Sequence, residues 1–320
     1  MARLRLVGTG GTIQNTLDGR LSPDAVLQRA LRAYDEGGYS PVPIVETTEV
    51  LRAGSETFVP SSWLEVRAAV LEALEDKDIE GVVVSHGTFT AEETAYFLHL
   101  TVPTERPVVV VCSQRKYGTI GNDGDRNLCD ALRVASAPDA RGKGVLLVMN
   151  EEIHCARDVL KSNQRPGGFV SGATGILGSI ERDQVTFYRA PLRRHTTNAE
   201  FSSLDQGASL PRVDVVATYT GADGAAARAL AKAGSAGLVV IGFAFNGFPH
   251  ELQRDALEEV TQSGGAVVLV SRGGAGRVPR GDPPFVYGDN LSPQKARVLL
   301  SVALTFTRDT DELQRIFDQY

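Results

Sequence analysis

The chain has 320 residues and a formal net charge of −6 at pH 7, with 42% hydrophobic and 22% charged residues. These values are typical of a globular protein with a sizeable core, arranged as one large domain or two ordinary ones. A negative net charge argues against a nucleic-acid surface, because phosphate binding requires a basic face. The first residues, MARLRLVGTGGTI, contain no long apolar stretch before a cleavage site, and no apolar run reaches about 18 residues. We therefore predict a cytoplasmic protein without a membrane span.

Short apolar runs recur along the chain, each rich in Val and Leu and nearly continuous rather than alternating. Continuous runs of about five to seven residues are typical of strands that are buried on both faces of a parallel sheet. Helical patterns at 61–76, 224–237 and 250–265 lie between them. This alternation predicts a doubly wound α/β fold. The apolar runs are 3–8, 81–87, 107–113, 144–150, 213–219, 237–243 and 265–271.

The strand–helix alternation is interrupted in the second half of the chain. The stretch GILGSIERDQVTFYR predicts a β-hairpin with its turn at 181–183, and the polar residues that follow have the composition of a linker. The alternation resumes at Val213. The sequence therefore predicts a larger N-terminal domain, 1–194, a linker, 195–212, and a smaller C-terminal α/β domain, 213–320. The three cysteines (Cys112, Cys129 and Cys155) have no CxxC spacing, which predicts reduced thiols and no zinc site.

Two loops that contain glycine and threonine follow predicted strands, VGTGGTI and SHGTFT. In an open parallel sheet, ligands bind where the carboxyl ends of the strands meet the starts of helices. The first loop lacks the GxGxxG spacing of a dinucleotide site, so we interpret the threonines as candidate catalytic hydroxyls. The residues that the two loops offer are Gly11, Thr12, Gly87, Thr88 and Phe89.

A threonine hydroxyl is a weak nucleophile unless a base accepts its proton. Lys161, in ARDVLKSNQ, is a candidate base, because a lysine that is partly desolvated titrates at a lower pH. The second loop leads into TAEET, where Thr90 and Glu93 have the spacing of a helix-capping box. His86 is predicted to be a structural histidine rather than a base.

The motifs GTGGTI, HGTxTxEETAYFL, DGxxNLxDAL, VMN, ARDVLKSN and LSPQKARVLLSVALT occur in this order along nearly the whole chain. Together they resemble the bacterial type I/II L-asparaginase (asparaginase/glutaminase) family. The resemblance implies a two-domain α/β fold and hydrolysis of a side-chain amide of a small-molecule substrate by a threonine nucleophile. It further implies no cofactor, no metal, and homotetramers whose active sites lie at an intimate dimer interface.

The resemblance also implies roles for individual residues. Thr12 corresponds to the primary nucleophile, Thr88 to the threonine that activates water or the nucleophile, and Lys161 to the lysine paired with that second threonine. Ser55 and Glu56, in LRAGSETF, match the pair that grips the α-carboxylate and α-amine of the substrate. Backbone N–H groups of the two loops, at Gly11 and Gly87, would stabilise the oxyanion.

Three positions depart from the family pattern. The family has HGTDT where this chain has Phe89, and the family's aspartate binds the α-ammonium of asparagine. The segment after GGTI contains no tyrosine, and Arg20 or Leu21 stands where the family has a catalytic one. Counting back from Phe285 puts Arg277 near the position of an acid that the neighbouring subunit contributes.

Two acids that recognise the substrate ammonium in the family are thus replaced, one by Phe89 and one by the cation Arg277. A hydrogen bond between charged groups contributes roughly 1.5–3 kcal/mol, and an apolar ring would also leave the ammonium desolvated. The sequence therefore predicts hydrolysis of an amide, cyclic imide or lactone that lacks the α-amino group. The alternatives are an ordinary L-asparaginase that tolerates Phe89 and a catalytically silent ligand-binding protein on the same scaffold. Without the catalytic tyrosine that the family has after GGTI, either Thr12 or Thr88 could be the primary nucleophile.

Overall fold

The computed structural model describes residues 2–36, 43–182, 184–205, 207–281 and 284–320. The chain divides into two compact units, Met1–Ser202 and Ser203–Tyr320. Inside the predicted linker, Thr196–Asn198 and Glu200–Ser203 form two 3₁₀ turns and Phe201 is fully buried. This part of the stretch is therefore folded, and the linker's limits stay a prediction.

The first unit is built on an eight-stranded sheet with strand order β10-β9-β6-β5-β4-β3-β1-β2, plus a separate two-stranded sheet formed by β7 and β8. The strands are β1 (Arg3–Gly10), β2 (Ile44–Ala53), β3 (Ile79–Ser85), β4 (Val108–Val111), β5 (Val145–Met149), β6 (Glu152–Cys155), β7 (Leu160–Lys161), β8 (Phe169–Val170), β9 (Gly178–Glu181) and β10 (Gln184–Phe187). The helices are α1 (Pro23–Glu36), α2 (Pro60–Glu75), α3 (Ala91–Thr101) and α4 (Gly124–Ser136).

The five strands from β2 to β5 in the sheet are parallel, whereas β6, β9 and β10 are antiparallel. The predicted hairpin is the β9–β10 pair, in which Glu181 faces Gln184; Asp183 lies outside the described residues. Successive side chains of a strand point to opposite faces of the sheet, and helices cover both faces here. A continuous apolar run therefore buries all its side chains when it forms a strand. Leu4 and Leu6 pack in one buried cluster with residues of α1 and α4. On the other helix pair, Trp63 of α2 stacks on Phe97 of α3, with ring centroids 5.6 Å apart.

The second unit has a four-stranded parallel sheet of strand order β11-β12-β13-β14. Together with the first unit, it confirms the predicted class of a larger and a smaller α/β domain. Its elements are β11 (Val213–Ala217), α5 (Ala225–Lys232), β12 (Gly237–Gly242), α6 (Glu251–Gln262), β13 (Ala266–Ser271), β14 (Val286–Tyr287), α7 (Pro293–Ala303) and α8 (Thr310–Gln319).

The position of β1 between β2 and β3 determines which loops meet. In the parallel registers, Gly8 of β1 faces Ser85 of β3, and Gly10 faces Ala53 of β2. The carboxyl ends of these strands therefore lie side by side, and the loops that follow them share one edge of the sheet. Among the described helices, none is long and apolar enough to cross a membrane.

Candidate active site

Glycines bring the loops after β1, β2 and β3 into direct contact. Gly11 has a φ of 79° and donates its N–H to the carbonyl oxygen of Ala53 at 3.0 Å. A Cβ atom on Gly11 would lie 2.4 Å from the Cα of Gly87, and one on Gly87 would lie 2.6 Å from the Oγ of Ser55. Such distances are too short for carbon, so only glycine permits this approach. Gly11, Gly87 and Ser55, all predicted from the sequence, therefore form one cluster.

We expect Gly11→Ala to lower kcat about a hundredfold, because the methyl group would push the β1 and β3 loops apart and displace Thr12 and Thr88. Gly142→Ala is the matched control, since Gly142 also has a positive φ, 69°, but nothing lies within 4 Å of the methyl group that this substitution would add. Steady-state kinetics on the active substrate measure the effect. Equal activity of the two variants would show that the close contact of the loops is unimportant.

The Thr88 hydroxyl and the Lys161 amine form a direct pair. Thr88 is 6% exposed, and the Nζ of Lys161 donates a hydrogen bond to its Oγ1 at 2.7 Å. Lys161 comes from β7, so the fold joins positions that are distant along the chain. Burial lowers the pKa of Lys161, against the smaller opposing effects of Cys112 and Glu92. A neutral amine at this distance can accept the proton of the Thr88 hydroxyl.

Phe89 is the exposed member of the site. Its side chain is 67% exposed, and the Nζ of Lys161 lies 4.8 Å from the centroid of its ring. This is the geometry of a cation–π contact. One face of the ring is thus directed at the lysine, and the exposed remainder is available for a ligand to cover.

Thr12 differs from Thr88 in that its hydroxyl, among the described residues, makes no hydrogen bond to a base. It opens the 3₁₀ turn Thr12–Gln14 and is half-buried. Within the described ranges, its hydroxyl has no hydrogen-bond partner, and its carbonyl oxygen accepts the N–H of Asn15. The structure therefore brings Thr12 to the cluster through Gly11 but leaves its hydroxyl without an activating group there.

The segment after Thr12 is a short hairpin, closed by a β-bridge between Asn15 and Arg20. Gln14 is fully buried and links the hairpin ends, since its amide donates to the carbonyl oxygen of Leu21 at 3.0 Å and its Oε1 accepts the N–H of Gly10. Arg20 donates from Nε to the Oδ1 of Asn15 at 2.9 Å, and Leu21 packs against the core. Neither Arg20 nor Leu21 supplies a hydroxyl that could replace the tyrosine.

Ser55 and Thr90 lock the β2 and β3 loops together. Ser55 is 1% exposed, its Oγ accepts the N–H of Thr90 at 3.3 Å, and the Thr90 hydroxyl donates to the Ser55 carbonyl oxygen at 3.0 Å. Thr90 stands at the N-cap position of α3, but its side chain makes no capping hydrogen bond. The predicted capping box is therefore wrong, because the hydroxyl is already used by Ser55. Glu56, the next residue of the 3₁₀ turn Ser55–Thr57, is exposed, and its carboxylate lies over Gly54.

His86 is a structural histidine, as predicted. It is fully buried, and burial lowers its pKa to about 4, so the ring is neutral at neutral pH. Its Nδ1 lies 2.8 Å from the carbonyl oxygen of Gly87, to which it donates in the neutral tautomer that this distance favours. The ring packs edge-on against Phe58, with centroids 4.8 Å apart. His86 thus shapes the backbone of the Thr88 loop.

Two contributors to the site were not predicted from the sequence, Gln14 and Glu92. The Oε2 of Glu92 accepts the backbone N–H of Lys161 at 2.5 Å. No local signal marks this contact, because the two residues are far apart in the chain and Glu92 follows the pattern of a helix start. Arg277 lies in the second unit, where its Nε donates to the Oδ1 of Asp289 at 2.6 Å. Its role in substrate binding stays a prediction.

Comparisons with known proteins extend over the whole chain. The family description "Asparaginase, N-terminal" matches residues 3–193, and "Glutaminase/Asparaginase C-terminal domain" matches residues 212–317. The chain is 35% identical to a glutaminase-asparaginase of Pseudomonas fluorescens biotype A, covering 100% of this chain and 91% of that protein. It is 34% identical to L-asparaginase 2 of Escherichia coli K12, covering 100% and 94%. The crystal structure of a probable cytoplasmic L-asparaginase from Campylobacter jejuni superposes with a TM-score of 0.90 at 35% identity and full coverage of both chains.

A threonine hydroxyl bonded to a partly desolvated lysine, at the carboxyl ends of parallel strands, is typical of a hydrolase that works through a hydroxyl group. The comparisons narrow this class: the chain belongs to the asparaginase family and is an amidohydrolase. The family resemblance that the sequence motifs indicated is confirmed.

Proposed function

We propose that this amidohydrolase cleaves an amide, cyclic imide or lactone that lacks the α-amino group of asparagine. The observation that carries the proposal is the place of Phe89, whose ring contacts Lys161 at the mouth of the site. An ammonium group of a substrate would meet a phenyl ring and a cationic or neutral lysine there, instead of a carboxylate. Glu56 is exposed and would be the one carboxylate left for the ammonium. Losing the carboxylate at position 89 removes a charged partner and puts an apolar ring in its place, so the site disfavours asparagine itself.

Of the retained polar residues, Ser55 suits the carboxylate of such a substrate. Ser55 and Glu56 keep the positions of the pair that grips the amino-acid part of the substrate in the family. The Ser55 hydroxyl lies against Gly87, next to the Thr88–Lys161 pair. A substrate carboxylate could accept a hydrogen bond from Ser55, and Arg277 would add a cation if a second subunit supplies it. A succinamate-like molecule meets these requirements.

The proposed chemistry is acyl transfer through a threonine. Lys161 accepts a proton from Thr88, either to make Thr88 the nucleophile or to relay the proton while Thr12 attacks. The hydrogen bond of 2.7 Å between Lys161 and Thr88, and the lack of a base at Thr12 in the described residues, support Thr88 as the activated hydroxyl. The N–H of Gly11 already binds the carbonyl oxygen of Ala53, so other backbone N–H groups of the Thr12 and Thr88 loops would have to stabilise the oxyanion. The Lys161 ammonium then gives its proton to the departing group, which leaves as ammonia from an amide or as the opened end of the ring from an imide or lactone. Water attacks the acyl–threonine ester and gives a proton to Lys161, which returns it to the threonine oxygen as the acid is released.

The experiment is a measurement of ammonia release by the wild type, Thr12→Ala and Thr88→Ala. The substrates for ammonia release are L-asparagine, L-glutamine, succinamate and malonamate. Succinimide and lactones are followed with a pH-indicator assay, because their ring opening releases an acid and no ammonia. We expect turnover of a compound without an α-amino group, and a loss of at least a hundredfold in Thr88→Ala. Turnover confined to L-asparagine would favour an ordinary asparaginase. Thermal stabilisation by a compound without any turnover would favour a binding protein.

We also propose a cytoplasmic homotetramer, with sites at the interface of intimate dimers. The full-length similarity to the Campylobacter jejuni protein, which is described as a probable cytoplasmic L-asparaginase, supports the location. The family resemblance supports the assembly. Sedimentation equilibrium tests it, since a mass equal to the 34.2 kDa subunit would contradict it.

A further inference from the structure

Glu92 is a buried carboxylate with one specific contact. It is the second residue of α3, is 8% exposed, and accepts the backbone N–H of Lys161 through Oε2. In the part of the chain that the structure describes, this is the one hydrogen bond of its side chain. Burying a carboxylate is unfavourable without compensation, and the first turn of a helix supplies part of it through the helix dipole. A buried acid aimed at one backbone N–H indicates a specific role.

The element that carries Lys161 is weakly held by its own sheet. Strands β7 and β8 have two residues each and, within the described ranges, pair only with one another, with Lys161 facing Phe169. A two-stranded hairpin is marginally stable at best. The hydrogen bond from the Lys161 N–H to Glu92 ties this small sheet to α3, beside the loop that contains Thr88.

The lysine is thus held at both ends by one short segment of chain. Its backbone N–H is bound by Glu92 and its Nζ by Thr88, and residues 88–92 run from the end of the β3–α3 loop into the first turn of α3. A lysine side chain is flexible along four carbons, so its amine is located only when both ends are fixed. Displacement of a catalytic group by about 1 Å can lower a rate a hundredfold.

We infer that Glu92 is a positioning residue, which holds the backbone of Lys161 so that its amine reaches the Thr88 hydroxyl. The inference rests on the proposed function, because it presumes that the Thr88–Lys161 pair performs the chemistry. Glu92 itself does not touch the reacting atoms in this role.

Three substitutions of Glu92 separate hydrogen bonding from charge. Glu92→Gln keeps an amide oxygen at the same distance along the side chain, so we expect kcat within about threefold of the wild type. Glu92→Asp retracts the carboxylate by one methylene, and Glu92→Ala removes it. We expect both to lower kcat tenfold to a hundredfold with little change in KM. Glu72→Gln and Glu72→Ala are controls, since Glu72 is exposed on α2.

The pH profile supplies a readout that a purely structural role would not change. The groups that face Lys161 are Glu92 from α3, the buried thiol of Cys112 after β4, the Thr88 hydroxyl and the Phe89 ring. Burial raises the pKa of Cys112, so this thiol is neutral in the assay range. The Glu92 charge raises the pKa of Lys161. Its removal in Glu92→Gln should therefore move the rising limb of kcat to lower pH.

The outcomes distinguish the inference from the proposed function. If Lys161→Met remains active, the proposed acyl transfer through the Thr88–Lys161 pair fails, and the inference fails with it. If Lys161→Met is inactive but Glu92→Asp and Glu92→Ala keep wild-type kcat, only the positioning role is overturned; an equal loss in Glu92→Gln overturns it as well. If Glu92→Ala does not fold, Glu92→Asp and Glu92→Gln decide.

If the wild type cleaves no compound, NMR of protein labelled with ε-¹³C-lysine replaces kinetics, and Lys161→Arg assigns the Lys161 signal by removing it. A Lys161 titration unchanged in Glu92→Gln and Glu92→Asp would then overturn the role.

Discussion

Replacing Lys161 with methionine is expected to lower kcat about a thousandfold. Methionine retains most of the length and apolar contact of the lysine stem but cannot accept the proton of the Thr88 hydroxyl, 2.7 Å away. General-base catalysis contributes about 10²–10⁴-fold, and this loss lies in the middle of that range. Steady-state kinetics on the substrate with the highest wild-type turnover measure it.

If Lys161 is the general base, kcat should increase with pH. Burial lowers the pKa of Lys161 from the usual lysine value of 10.5. The neutral amine is the active form, so the wild-type kcat should rise with pH through this lowered pKa and reach a plateau above it. Acidification protonates the amine and removes activity.

Two controls accompany the Lys161 substitution. Lys161→Arg keeps a cation that cannot lose its proton under assay conditions, so we expect it to be as inactive as Lys161→Met. Lys77→Met removes an exposed lysine and should leave kcat unchanged. Activity of Lys161→Arg within tenfold of the wild type would mean that Lys161 acts through its charge and not as a base.

Phe89→Asp is expected to raise kcat/KM for L-asparagine by about tenfold to a hundredfold and to lower it for succinamate. The aspartate would offer a charged acceptor for the α-ammonium, which contributes roughly 1.5–3 kcal/mol, and each 1.4 kcal/mol corresponds to tenfold. The same carboxylate would repel the carboxylate of a des-amino substrate. The ratio of the two kcat/KM values in the variant, relative to the wild type, measures the change.

The matched control for this exchange is Phe89→Asn, which has the shape of the aspartate without its charge. It should not gain on L-asparagine. A new carboxylate beside the Nζ of Lys161 would also raise the pKa of that lysine, so the rates need comparison at the plateau of each pH profile. An identical gain in Phe89→Asn would show that removal of the ring, and not recognition of the ammonium, determines the preference.

Much of the fold follows from the sequence because its central strands are continuous apolar runs. β3, β4 and β5 have nearly uniform Val and Leu content, and the structure buries them on both faces. β2 was missed, because this edge strand, IVETTEVLRA, is half-exposed and carries acidic residues such as Glu46, which pairs with Arg3 and Arg5. An edge strand needs no continuous apolar pattern.

Some residues of the site could be predicted from local sequence patterns, and others only from family resemblance or from the fold. Gly11 and Gly87 mark their loops because close backbone contact requires glycine. Lys161 was a candidate base by its chemistry alone, but its pairing with Thr88 came from the family resemblance, because no local pattern shows that β7 lies beside the Thr88 loop. Glu92 was hidden for the same reason: a carboxylate near a helix start is ordinary, and only the fold reveals that its partner is the Lys161 backbone.

The most direct test of the account is the ratio of kcat/KM for succinamate to that for L-asparagine, measured on the wild-type protein. The two compounds differ only in the α-amino group. With Phe89 in contact with Lys161 and no carboxylate at position 89, the account predicts a ratio well above one. A ratio below one would contradict it and would identify an asparaginase that recognises the ammonium group by other means.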